Sequence, residues 1–135
     1  MNILDSSVIL AHLRKEKGGT FLKKLSRQCK SQGESIFVHQ VNFLEVVYKA
    51  RCKVPDFEVR ELLAEFSSPW WGKINYMDSD LMLLAAELKA KYRSASLGDA
   101  IGLAAAKIFK ATFWTADSLL EEIGGKEGIS VHLIR

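Results

Sequence analysis

The 135-residue sequence has only two cysteines, Cys29 and Cys52, with no CxxC pair and no nearby paired histidines. That pattern indicates neither a disulfide scaffold nor a zinc site, and two unpaired thiols predict a reducing compartment. Prolines also number two, in a chain that is 48% hydrophobic and 26% charged, which excludes collagen-like and disordered classes. No apolar run approaches the ~18–20 residues that cross a bilayer, and no cationic stretch precedes the first apolar residues. The expectation is a soluble cytoplasmic protein with no membrane contact. Neither sign of charge dominates: 19 Lys+Arg against 16 Asp+Glu leave +3, which permits a polyanionic partner without requiring one. The histidines, His12, His39 and His132, are widely separated, lack ligand spacing, and read as structural or surface residues. The length suits one domain over 1–135.

What is present is an alternation of strand and helix patterns. A short apolar strand at Asn2–Leu4 runs through Asp5-Ser6-Ser7 into a helical pattern that reaches Leu13 and breaks at Gly18-Gly19. Thr20 to Lys30 has Phe21, Leu22 and Leu25 inward, and Gly33 follows as its stop. Ser35–Val38 reads as the second strand, and Val41 to Cys52 carries Phe43, Val46, Val47 and Ala50 on one helical face. Pro55 suits the first turn of another helix, stopped by Ser68-Pro69. A strand within Trp70–Met77, a helix from Asp78 to Arg93 and a helix from Ser96 to Phe109 follow. The last of these is apolar nearly all round and is expected to be central. Ala111–Thr115 reads as a strand, Ala116 to Ile123 as a short helix closed by Gly124-Gly125, and Ile129–Ile134 as the final strand. This order predicts a three-layer α/β/α sandwich with a mainly parallel central sheet.

Four carboxylates fall where acids are costly or conspicuous. Asp5 lies between apolar residues at the carboxyl end of the first strand, where open α/β sheets place their sites. Asp117 follows the strand Phe113-Trp114-Thr115 in the same way, Glu45 sits inside the apolar segment Phe43–Val47, and Asp99 opens the most apolar helix. Each has an ordinary alternative. Asp5 suits a helix N-cap, Glu45 has Lys49 at i+4, Ser96-x-x-Asp99 has capping-box spacing, and Asp117 suits a first helical turn capped by Thr115. Taken jointly, acids brought together repel, and a divalent cation relieves them; oxygen ligands without Cys or His point to Mg²⁺ or Mn²⁺.

These residues carry a resemblance to the PIN domain family, and at this length the chain looks like the VapC-type toxin ribonucleases. Ile3-Leu4-Asp5-Ser6-Ser7-Val8-Ile9 is similar to the family's opening strand and first acid. Phe43-Leu44-Glu45-Val46 resembles its second, Leu97-Gly98-Asp99-Ala100 its third, and Thr115-Ala116-Asp117 the T-x-D segment of its fourth. The intervals of 40, 54 and 18 residues suit that family, and the resemblance spans nearly the whole chain. After Asp117 the chain has Ser118-Leu119-Leu120-Glu121-Glu122 where many members carry a basic residue and a Phe. The resemblance implies a metal-dependent endoribonuclease, the toxin of a toxin-antitoxin pair. In it Asp5, Glu45, Asp99 and Asp117 hold Mg²⁺ or Mn²⁺, supported by Ser6 and Thr115. It also implies a homodimer and an antitoxin partner. A PIN-type nuclease of RNA maturation and a catalytically silent RNA- or protein-binding module are the alternatives.

Setting those four acids aside leaves twelve acids against nineteen bases, which suits a phosphate backbone around an acidic site. Lys23, Lys24 and Arg27 on the second helix, with Lys49 and Arg51, are the RNA-binding candidates; Lys30, Lys53 and the Lys89, Lys91, Arg93 run are further ones. The aromatic pair Trp70-Trp71 reads first as packing and second as a base-stacking surface.

Overall fold

Short apolar runs pair into one parallel sheet in the computed structural model of the chain, which describes residues 1–53, 56–66 and 71–135. The side chains of Phe57 and Glu58 lie outside the described residues. So do Pro55, Ser68, Pro69 and Trp70, and with them the expectations for one helix start, one helix stop and half of the aromatic pair.

Among the described residues the element order is β1 (Asn2–Leu4), α1 (Ser6–Leu13), α2 (Phe21–Gln32), β2 (Ile36–His39), α3 (Gln40–Arg51), α4 (Asp56–Glu65), β3 (Trp71–Ile74), α5 (Ser79–Lys91), α6 (Leu97–Phe109), β4 (Thr112–Thr115), α7 (Ser118–Glu127) and β5 (Val131–Leu133). The sheet order is β3-β2-β1-β4-β5. Every pair is parallel, with Leu4 opposite both Val38 and Trp114, and Thr115 opposite Leu133. The chain steps outward from β1 to β3, then returns to the other side of β1 to lay down β4. Strand order therefore reverses between β1 and β4, and the crevice beyond the carboxyl ends of those two strands is where such sheets bind ligands.

Alternation along each strand builds two cores. Ile3, Phe113 and Val131 face one, made with α5, α6 and α7. Leu4, Ile36 and Val38 face the other, made with residues of α1 to α4 such as Val8, Leu25, Phe43 and Leu62. Because successive strand residues point to opposite faces, both faces are covered and the strands read as continuous apolar runs. The expected three-layer sandwich is the observed one. Helix α6 is central: it packs against α3, α5 and α7 as well as β1, β2 and β4, and its Ala100 to Ala106 stretch is buried throughout.

Several expected boundaries shift by one or two residues, as for β2, α5 and β5, and the end of α7 shifts by more. α7 does not stop at Gly124-Gly125 but runs to Glu127, and Gly128 with φ of +67° supplies the left-handed cap. Gly124 is there for packing: a Cβ added to it would stand 2.3 Å from Val131 Cγ2. Among the described residues no helix is long and apolar enough to cross a membrane.

Candidate active site

Asp5 follows β1 directly, and its N–H donates to the Trp114 carbonyl at 2.9 Å, which fixes it at the β1–β4 edge. Its backbone is extended and its side chain accepts from Ser7 N–H, so Asp5 caps α1. At 3% exposure this carboxylate is buried, and a charge so placed needs partners. Oδ2 accepts from Ser7 Oγ at 2.5 Å and Thr115 Oγ1 at 3.0 Å; Oδ1 accepts from Asn42 Nδ2 at 3.4 Å and, at 3.5 Å, Ser6 Oγ.

The other three acids arrive from separate elements. Asp99 forms a full capping box at the start of α6: it accepts from Ser96 N–H at 2.7 Å and its own N–H donates to Ser96 Oγ at 3.0 Å. Glu45, half-buried on α3, pairs with Lys49 one turn on. Gly98 leaves Glu45 its room, since a Cβ there would stand 3.2 Å from Glu45 Oε2. Asp117 caps α7 itself, accepting from Leu119 N–H at 2.9 Å, so it is the cap and not a first-turn residue. All four carboxylates line one cavity of about 330 Å³ at the carboxyl edge of the sheet. Each acid thus has the ordinary local role its sequence allowed and also faces the common space.

Charge ties them together. Burial pushes the Asp5 carboxyl above the usual range, opposed by the Ser7 hydrogen bond and reinforced by the charge of Asp99. Burial likewise pushes Asp99 up, opposed by Ser96 and reinforced by Glu45 and Asp117. Asp99 thus feels Glu45 and Asp117 and is felt by Asp5, and the cavity is loaded with repulsion that a cation would relieve. Donor chemistry fits a hard divalent cation: carboxylate and hydroxyl oxygens, with no thiolate or imidazole from the described residues on the cavity wall. Among the described residues no three His, Cys, Asp or Glu stand close enough to form a ready ligand cluster. Glu45 is turned toward Lys49 and Asp99 toward the Ser96 N–H.

Thr115, expected as a supporting residue, connects two acids: its hydroxyl donates to Asp5 and accepts from Asp117 N–H at 3.1 Å. Ser6, the other expected supporter, reaches Asp5 only at 3.5 Å, while its neighbour Ser7 holds Asp5 closely and accepts from Ala116 N–H at 2.9 Å. Asn42 was not singled out from the sequence. It is fully buried, and its Oδ1 has no hydrogen-bond partner among the described residues. Its signal was a polar residue in the buried stripe of α3, one turn before Glu45. His39 is structural: buried, it caps α3 through Nδ1 and meets the Tyr76 carbonyl through Nε2.

Of the basic candidates only Lys49 reaches the acidic cavity. Lys23 lines a different, larger cavity of about 540 Å³ bounded by His12, Glu61 and Glu65. Lys24 and Arg27 are exposed on α2, and Arg51 pairs with Asp56 at 3.5 Å.

No curated protein sequence matches this chain. Among solved structures it is similar to a chain of a toxin-antitoxin complex from Klebsiella pneumoniae, with TM-score 0.69, 16% identity, and 100% of this chain and 98% of that one covered. It is also similar to a chain of VapBC2 from Rickettsia felis bound to a DNA fragment from their promoter, with TM-score 0.72, 14% identity, and 98% and 97% covered. For DNA-bound VapBC from Salmonella typhimurium the values are 0.72, 14%, and 99% and 98%. At these identities the likeness concerns the fold. The model of the PIN domain, a family whose members are generally nucleases, matches residues 3–126, and the chain belongs to that family.

Proposed function

We propose that this chain, as a single PIN-like domain over 1–135, is a VapC-type endoribonuclease of the cytoplasm that depends on Mg²⁺ or Mn²⁺. The observation that carries this is the meeting of Asp5, Glu45, Asp99 and Asp117 on one cavity at the reversal of strand order. These four carboxylates would hold the cation. When bound, it supplies Lewis-acid polarisation of the scissile phosphate and a water of lowered pKa. The chain's own residues do the positioning. Ser7, Thr115 and Asn42 fix the Asp5 carboxylate from both oxygens, and Thr115 ties Asp117 to the same frame. Of the two supporting hydroxyls, Ser6 lies on the cavity wall and is the one available to a phosphate or an aqua ligand, while that of Thr115 is taken up by Asp5 and the Asp117 N–H.

Two partner assignments belong to the same proposal. An antitoxin protein covers the site; the similar Klebsiella pneumoniae chain belongs to a toxin-antitoxin complex, which supports this reading. A second copy of the chain covers the apolar side chains exposed on α3 and α5: Leu44, Tyr48, Met82 and Leu83, each more than half exposed. Both helices pack against α6, and exposed apolar side chains that form one patch mark interaction surfaces.

Cleavage of a labelled structured RNA by purified protein tests the function. Cleavage is expected with Mg²⁺ or Mn²⁺, and its loss with EDTA. A folded protein that cuts none of several RNAs under either metal would move the chain to a binding module.

A further inference from the structure

Acids that gather a cation also repel the polyanion it acts on. Besides the four carboxylates, Glu16 lines the same cavity. A bound cation addresses the scissile phosphate; the flanking phosphates need protein cations.

Three cations stand on that wall: Arg14, Lys49 and Arg135. Lys49 is engaged with Glu45. The arginines are not held in the same way. Arg14 reaches Glu16 only at 3.8 Å, with side chains 30% and 45% exposed, a pairing of little energetic weight. Arg135 donates to the Lys17 carbonyl at 3.4 Å and has no ion pair among the described residues.

The fold puts both there. Ile134 N–H donates to the Thr115 carbonyl at 3.0 Å, just beyond the Thr115–Leu133 pair, so Arg135 is carried past the carboxyl end of β4 where Asp117 begins α7. Arg14 closes α1, the helix that Asp5 opens. The loop after Arg14 is seated on Ile134: Gly18 has φ of +84°, and a Cβ there would stand 3.1 Å from Ile134 Cδ1. That seating brings Lys17 beneath the Arg135 guanidinium and holds the two arginines at one mouth.

We propose that Arg14 and Arg135 form a phosphate clamp that grips the phosphates flanking the scissile one in single-stranded RNA. The clamp rests on the nuclease reading above. Guanidinium is permanently charged and its planar fork matches phosphate oxygens, which suits holding a backbone in register without reading bases.

The test uses Arg14→Ala, Arg135→Ala and the double variant, first in an Asp99→Asn background so that binding is read without cleavage. The probe is a short fluorescent single-stranded oligoribonucleotide, titrated across salt concentrations. Each arginine removed is expected to weaken binding about tenfold and to flatten the salt slope by about 0.7. Arg135→Lys is expected to restore the slope but not the full affinity. In the active protein, KM rises more than kcat falls. Unchanged affinity and slope in the double variant, while the unsubstituted protein still binds and cuts RNA, would overturn the clamp alone. Loss of binding to polyglutamate with RNA binding intact would overturn it in favour of a protein partner. Failure of the unsubstituted protein to bind or cut RNA would overturn the nuclease reading, and the clamp with it.

Discussion

Asp5→Asn is expected to lower RNA cleavage by at least ~100-fold and, at the same time, to raise the melting temperature at neutral pH. Asp5 is buried, and its carboxyl is held above the ordinary value of 3.8 chiefly by desolvation. A carboxyl that binds its proton more tightly in the folded state takes up protons on folding. Its contribution to stability is therefore greatest below about pH 4 and declines as the pH rises from 3.8 toward the raised folded-state value. Folding around this carboxyl is therefore less favourable at neutral pH than in acid, and the uncharged amide removes that cost. Hydrogen bonding tolerates the change. The amide oxygen can take the Oδ2 position, where Ser7 and Thr115 donate. The amide N–H would then face Asn42, whose unpartnered Oδ1 accepts after the Asn42 amide turns over. Calorimetry across pH checks the sign: a gain of a few degrees at neutral pH, closing as the pH approaches 4. A melting temperature lowered by several degrees would mean that the carboxylate stabilises the fold.

Gly124→Ala and Gly125→Ala are expected to shift the melting temperature in opposite directions. Both positions lie inside α7, where alanine gains up to ~1 kcal/mol over glycine in helix propensity. At Gly125 nothing stands within 4 Å of an added Cβ, so that gain is kept and the melting point rises by a few degrees. At Gly124 the same atom would meet Val131 Cγ2 at 2.3 Å, Val131 Cβ at 2.8 Å and the Ile129 carbonyl at 3.0 Å. Overpacking of this kind costs ~1–3 kcal/mol, and a carbonyl cannot swing aside as a side-chain tip can. The steric cost wins, and stability falls. Thermal melts of the two variants beside the unsubstituted protein decide it; equal shifts would mean that α7 does not press on β5 there.

That pair also shows where sequence reading stops. Two adjacent glycines after a helical pattern carry the composition of a helix stop, and only β5, packed against α7, explains why one of them continues it. Layers and parallel strands were legible because period-2 and period-3.6 patterns alternate along the chain, and because strands buried on both faces are apolar throughout. The four acids were legible for a similar local reason: each interrupts or terminates an apolar run. Asn42 and Ser7 were not, since a polar side chain near an acid gains meaning only when the distance between them is known. Arg14 and Arg135 stand at opposite ends of the sequence; the Thr115–Leu133 register and the Gly18 loop bring them together. The bases that were conspicuous in sequence, Lys23, Lys24 and Arg27, lie on α2, and none of them lines the cavity of the four acids.

The central claim is that the acids act as one unit through a shared cation, and a double-mutant cycle reads that most directly. Single-turnover cleavage of one labelled RNA would be measured for Asp5→Asn, Asp99→Asn and the combined variant at fixed Mn²⁺. Groups that act as a unit give losses far from additive, so the combined variant is expected to be no slower than the worse of the two single ones. Losses that multiply would mean that Asp5 and Asp99 contribute independently, and would contradict a common metal site.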